Sequence, residues 1–185
     1  MNSKIFFFIL LLGVSFFSCK EDVLPKPKGM LRLEYSKIKT ELLNSDCNFQ
    51  FEYNKKANIK INNNCAVNIE YPAMKGSVFI TYKPIKDNLE SFLIDAQKLS
   101  YEHAVKADNI LEQPFSNTKD KVYGMFYEVK GDAASQAQFY VTDSINHFVT
   151  GSLYFSVKPN YDSILPAAVY LQKDIRNIME TFRWK

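Results

Sequence analysis

The sequence predicts an α+β domain, an antiparallel sheet with two main helices packed on it as a two-layer sandwich. Three observations lead there. Short segments with apolar residues at every second position fall in two groups, over residues 49–82 and 122–157. Each group is followed by a segment whose apolar residues recur every three or four positions. Clusters of Asn, Gly and Asp punctuate the alternating segments, as turns require. Strand groups that each lead into one helix bury their apolar faces by layering around a single core.

In the first group, Phe49/Phe51/Tyr53, Val67/Ile69/Tyr71 and Val78/Ile80/Tyr82 each turn one phase inward. Asn62, Asn63 and Asn64 form a turn signal, because Asn tolerates left-handed backbone. A helix begins at Asp87, which can cap its free amides, with Glu90 three residues later completing a capping box. Leu89, Phe92, Leu93, Ala96, Ser100, His103, Ala104 and Ala107 run down one face, and Glu112-Gln113-Pro114 ends the segment that follows. Strands are expected over residues 122–129, 135–141 and 148–157, with turns at Gly131-Asp132 and at residues 143–146. The last segment is amphipathic, with Ala168, Leu171, Ile175, Ile178 and Phe182 in one seam. Pro166 is expected in its first turn, where a missing amide hydrogen costs little, and Trp184 closes it by packing. Residues 78–87 and 153–162 share a pattern of strand, Lys-Pro, two residues and Asp, a repeated strand-to-helix device. The order of elements is similar to the PsbP-like fold.

Composition bounds the function. The chain has 185 residues, 46% of them hydrophobic, which suits one globular domain and excludes a disordered one. A formal charge of +3 without a long basic block gives no nucleic-acid footprint. Two His and three Cys do not make a zinc cluster of the usual kind, and no metal or cofactor is expected. There is no Gly-x-Ser-x-Gly elbow, phosphate loop or His-Glu-x-x-His run. Glu102 and His103 are adjacent on a helix and point to different faces; His147 lies near Asp143 but has no nucleophile motif beside it. No catalytic residue is assigned, and the chain is expected not to be an enzyme.

The N-terminus gives an address. Lys4 precedes an apolar run over residues 5–18 that is too short to span a bilayer comfortably, the pattern of a signal peptide at residues 1–18. Ser18-Cys19 resembles a bacterial lipobox, so cleavage frees the Cys19 amine and thiol for acylation; the competing reading is plain secretion with Cys19 an ordinary residue. Residues 19–29 form a tether with Pro25, Lys26, Pro27 and Lys28, able to reach roughly 30 Å, and residues 30–185 form one domain. Lys20-Glu21-Asp22 is either a surface-export signal of the kind some Bacteroidota lipoproteins carry or merely a solvated start to the tether.

Export also bears on Cys47 and Cys65. With Cys19 taken by lipid they are an even pair in an oxidising compartment, and closing their loop stabilises by about 3 kcal/mol. Both open similar alternating runs, and a strand lying between those runs would hold the backbones about 9–10 Å apart. The bond therefore requires the cysteines to converge beyond that strand; otherwise they are two free buried thiols.

The outward phase of the second strand group is aromatic. If Tyr123, Met125, Tyr127 and Val129 face the core, Phe126 faces out, and the same alternation turns out Tyr140, Phe148 and Tyr154. These four residues are candidates for a partner surface, since large apolar patches mark interfaces. Alternatively, residues 109–118 cover them.

Longer runs carry a family resemblance. Leu24-Pro25-Lys26-Pro27-Lys28-Gly29-Met30-Leu31-Arg32-Leu33-Glu34-Tyr35, Asn68-Ile69-Glu70-Tyr71-Pro72 and Gly124-Met125-Phe126-Tyr127-Glu128-Val129 resemble the gliding-motility lipoprotein GldD family of Bacteroidota, as do Gln138-Phe139-Tyr140-Val141-Thr142-Asp143-Ser144 and Lys158-Pro159-Asn160-Tyr161-Asp162-Ser163. The resemblance covers the mature chain, including Cys19, Cys47 and Cys65. It implies a cell-envelope accessory component required for gliding and tied to type IX secretion. Such a protein is held to a membrane by its lipid, faces the periplasm or the cell surface, and has other gliding and secretion envelope proteins as partners. The runner-up is a ligand-binding envelope lipoprotein with a pocket between sheet and helices. A hydrolase would need the His147–Asp143 turn to meet a nucleophile in space.

Overall fold

The computed structural model describes residue 33 and residues 35–102, 106–158 and 160–185. The signal peptide, Cys19, the tether at residues 19–29 and His103 lie outside the described residues.

The domain opens with three short strands, β1 (Thr40–Leu42), β2 (Phe49–Gln50) and β3 (Glu52–Asn54). Four-residue β4 (Asn58–Ile61) then leads into β5 (Val67–Tyr71), a 3₁₀ turn at Pro72–Met74 and the long β6 (Gly76–Pro84). After helix α1 (Leu89–Glu102) come β7 (Ala107–Asn117), β8 (Val122–Gly131), β9 (Ser135–Thr142) and β10 (His147–Phe155). Helix α2 (Tyr161–Thr181) and β11 (Arg183–Trp184) finish the chain. Seven strands make one antiparallel sheet in the order β4-β5-β6-β10-β9-β8-β7, so the α+β class and the antiparallel sheet are as expected. β1 pairs with β3 and β11 with β2 as small ribbons at its side.

The layering differs from expectation. The helices cover opposite faces, which gives three layers instead of two. Toward α2 point Ile69, Val78, Ile80, Phe139, Val141, Val149 and Leu153, buried with Leu171, Ile175, Ile178 and Phe182 of the helix seam. Toward α1 points the other phase, shown by Ser100 Oγ donating to Gln138 Oε1 and by Phe92 packing on Phe148 with ring centroids 5.4 Å apart. Gly151 serves the first face: a Cβ there would lie 2.1 Å from the Phe139 ring, so the glycine lets that ring cross β10.

Three local expectations are corrected. Ala107, expected on the helix, and the connecting segment expected to end at Glu112-Gln113-Pro114 belong instead to an eleven-residue edge strand, Ala107–Asn117. The strand hides in the sequence because its outer edge faces solvent, where Asp108, Glu112 and even Pro114 are tolerated. Neither helix is capped by the aspartate of the repeated device. Asp87 takes left-handed backbone (φ 56°) and α1 starts after Asn88, while α2 is capped by Asn160, whose side chain accepts from the Ser163 amide. Asp162 instead sits in the first turn of α2, where its charge suits the helix dipole. Pro166 consequently lies inside α2, past the first turn.

Cys47 and Cys65 are joined, with Cα atoms 5.7 Å apart. The obstacle read in the sequence disappears because β2 belongs to a side ribbon, so no strand stands between its start and that of β5. Cys65 closes the Asn turn in left-handed backbone, its amide donating to the Asn62 carbonyl. The bond thus ties the ribbon carrying Phe49 and Phe51 to the sheet. Both rings are fully buried and stack on Phe182. Replacing Cys47 and Cys65 by Ala should cost about 3 kcal/mol. Chemical denaturation with and without reductant checks this: the wild type should lose stability on reduction, and the double variant should not respond.

Candidate docking face

Burial on both sides rearranges the four aromatics expected to face outward. Phe126 lies on the α2 side, 2% exposed, opposite Phe139 in register and beneath the Arg176 guanidinium at 4.8 Å. Phe148 lies on the α1 side, 1% exposed, between Phe92 and the stacked ring of Tyr140. Neither is an exposed anchor, because each phase of β8 and β10 has a helix over it. Residues 109–118 do not supply the cover, since they form β7 beside β8. Tyr127, expected in the core, is indeed buried, though on the α1 side; burial there, with Tyr140 and Glu112 nearby, pushes its phenol up to about 12. Tyr140 is half-buried, its pKa raised by that burial and by Glu112.

Tyr154 keeps the surface position expected of it. Among the described residues, helix α1 packs mainly over β9 and β10, and on the same face Phe79 and Thr81 of β6 stay exposed. There Tyr154 meets Phe79 edge to face, with ring centroids 6.0 Å apart, and Phe79 is 47% exposed. Thr81 continues this exposed face along β6, and beyond it the Lys83 ammonium lies 4.9 Å from the Phe92 ring centroid of α1. On the far side of Tyr154 lies a cavity of about 230 Å³ walled by Ala133, Ala134, Phe155, Val157 and Ile164. Gln136 also borders it; its amide donates to the carbonyls of Gly131 and Ala133, while its Oε1 is buried without a partner. Tyr154 therefore stands between the exposed Phe79 ring and an apolar hollow whose walls include Ile164 of α2. The signal for Phe79 was present in the sequence, since it occupies the opposite phase from Val78 and Ile80 in the same strand.

A second cavity, of about 280 Å³, lies between β3, β5 and α2, where the ligand-binding reading expects a pocket. Tyr35, Asn54, Lys56, Tyr71, Met74 and Tyr170 line it. Below it sits Asp174, fully buried in the α2 seam. Tyr71 donates its hydroxyl to Asp174 Oδ2 at 2.5 Å, and Asn54 donates its amide to Tyr170 at 3.0 Å. Burial raises the Asp174 pKa, while the hydrogen bonds from Tyr71 and Asn54 pull it the other way without cancelling that effect. Sequence reasoning passed over Asp174; the signal is an acid standing between Leu171 and Ile178 on the apolar seam.

The His147 turn packs against Tyr82 and Trp184. The His147 ring bonds the Tyr82 hydroxyl through Nδ1 at 2.9 Å and stacks on Trp184. Burial works to raise the Asp143 pKa, but its Oδ1 accepts from the amides of Ile145, Asn146 and His147, and these with His147 hold it below its ordinary value. Among the described residues no serine hydroxyl bonds the His147 ring, and no group of three His, Cys, Asp or Glu is placed to hold a metal ion.

Asp174 yields a pH prediction. A folded-state pKa raised above the unfolded value favours folding at low pH, and that contribution is lost as pH rises through the raised pKa. Asp174→Asn should therefore match or exceed the wild type at neutral pH and show a flatter stability profile above pH 4. Asp174→Ala leaves the buried Tyr71 hydroxyl without its acceptor and should cost about 1–3 kcal/mol. Denaturation midpoints measured across pH 4–8 check both.

A family model described as gliding motility lipoprotein GldD matches residues 20–184. No curated protein matches the chain. With the match covering most of the sequence, the chain belongs to the gliding motility lipoprotein GldD family.

Proposed function

We propose that this gliding motility lipoprotein is a non-enzymatic accessory component, anchored through Cys19 and linked to type IX secretion, that docks another envelope protein of the motility apparatus on the open part of its sheet. The observation carrying this reading is the Phe79–Tyr154 pair beside the 230 Å³ cavity. Interface energy concentrates in a few aromatic anchors and the apolar hollows next to them, surrounded by contacts that exclude water. The partner that fits presents an apolar side chain to the cavity and a flat surface over Phe79. The polar residues at the rim, Thr81, Lys83 and Glu70, set its register more than its affinity. The non-enzymatic part is supported by the Asp143 carboxylate, whose Oδ1 is already taken by backbone amides.

The test pairs folding with assembly. Phe79→Ser with Tyr154→Ser should change the melting temperature little, because one ring is half exposed and the other borders a cavity. Binding should weaken about 30-fold or more, the loss of roughly 2 kcal/mol at an interface anchor. In cells the pair should reduce recovery of the crosslinked partner, spreading of colonies and type IX export together. A folded variant with unchanged crosslinks and motility would refute the docking face.

A further inference from the structure

We infer that the surface where the tether joins the domain is a second membrane contact, which lays this side of the domain on an anionic bilayer. The inference rests on the Cys19 anchor proposed above and concerns a different face from Phe79 and Tyr154. Where the described chain begins, Lys37 and Lys39 follow Tyr35 closely. The fold adds two more cations to this stretch. The Lys55 amide donates to the Lys39 carbonyl at 2.9 Å, and the Lys56 ammonium donates to the Ser36 hydroxyl. Lys37, Lys39, Lys55 and Lys56 are all exposed, as is Lys75 beside Met74 at the rim of the 280 Å³ cavity.

The centre of this basic surface is apolar and aromatic. Tyr35 packs on Tyr170 with ring centroids 5.0 Å apart, and Pro72, Ala73 and Met74 continue the wall. Tyrosines with a polar tip and an apolar body sit well at the headgroup level, and lysines reach past them to the lipid phosphates. Among the described residues the nearby acids are already engaged, Glu52 by the Thr40 hydroxyl. Glu41 is exposed and pairs with Lys55 at 3.8 Å, and Asp174 lies buried beneath Tyr71.

The tether decides which membrane surface this patch meets. Tyr35 lies on this surface against Tyr170 and stands sixteen residues after Cys19 in sequence, a span of at most about 55 Å. An acyl anchor and a polybasic surface act as two signals on one bilayer. Each basic residue at an anionic surface strengthens binding about fivefold, and salt screens the effect.

The test uses the whole mature chain with Cys19→Ser, so that no acyl chain contributes and failure here is separable from failure of the anchor. The probes are vesicles of phosphatidylglycerol with phosphatidylcholine, and of phosphatidylcholine alone, in sedimentation assays at low and high salt. The chain should bind the anionic vesicles and release from them by about tenfold or more at high salt. Changing Lys37, Lys39, Lys55 and Lys56 to Gln should weaken binding by roughly several hundred-fold. Changing Lys86, Lys98, Lys106 and Lys119 to Gln removes the same charge from other exposed positions and should alter binding less than threefold. Circular-dichroism melting confirms that both sets fold. Equal loss in the two sets, equal binding to neutral vesicles, or no binding to anionic ones would each overturn the proposal.

Discussion

Because α1 and α2 pack on opposite faces of one sheet, the middle strands β8, β9 and β10 must suit an interior whichever way their side chains point. The two interiors are not alike. The α2 side is built mainly of branched and aromatic residues, with Leu171, Ile175, Ile178 and Phe182 fully buried against it. The α1 side is thinner: among the described residues of α1 only Ala96 and Ser100 are fully buried, and they meet a sheet face bearing Gln138, Thr142 and Ser152. Small residues let α1 approach closely, yet they contribute little apolar area. The stability of the domain therefore resides on the α2 side, and the α1 side is free to leave part of the sheet uncovered.

That asymmetry places the two candidate surfaces. The tether-side cavity opens between β3, β5 and α2, while Phe79 and Tyr154 stand on the α1 side of β6 and β10. A bilayer contact at the first surface turns the second away from the membrane, toward whatever envelope protein can cover an exposed ring and fill the hollow beside it. Buried polar ties keep the arrangement in register. Asp174 links α2 to Tyr71 on β5, Gln172 donates to the Gln136 carbonyl on β9, and Thr181 accepts from the Glu52 amide on β3.

Much of this was legible in the residues, and the misses share a physical cause. The α2 seam, the alternation of β5 and β6 and the pairing of Cys47 with Cys65 follow from periodicity and export. Alternation reports two phases but not what covers each one. Phe126 and Phe148 were therefore read as outward when a second helix buries them. β7 escaped notice because an edge strand needs no inward-facing pattern on its free side, and Pro114 there reads as a breaker. Two-residue strands such as β2 and β11 are set by packing of Phe49 and Trp184 around Phe182, a tertiary matter that no local signal carries. Asp174 was overlooked for the opposite reason: its position on the seam was readable, but its partner Tyr71 stands more than a hundred residues away.

The central claim, that the sheet area left open by α1 is where an envelope partner sits, is tested most directly by photo-crosslinking in gliding cells. A photoreactive phenylalanine analogue is placed in turn at Thr81, on the open face of β6, and at Ile94, on the outer surface of α1. The account predicts one dominant envelope-protein adduct at position 81, lost when Phe79 and Tyr154 are changed to Ser, and no matching adduct at position 94. The same adduct at position 94 with none at position 81 would contradict it.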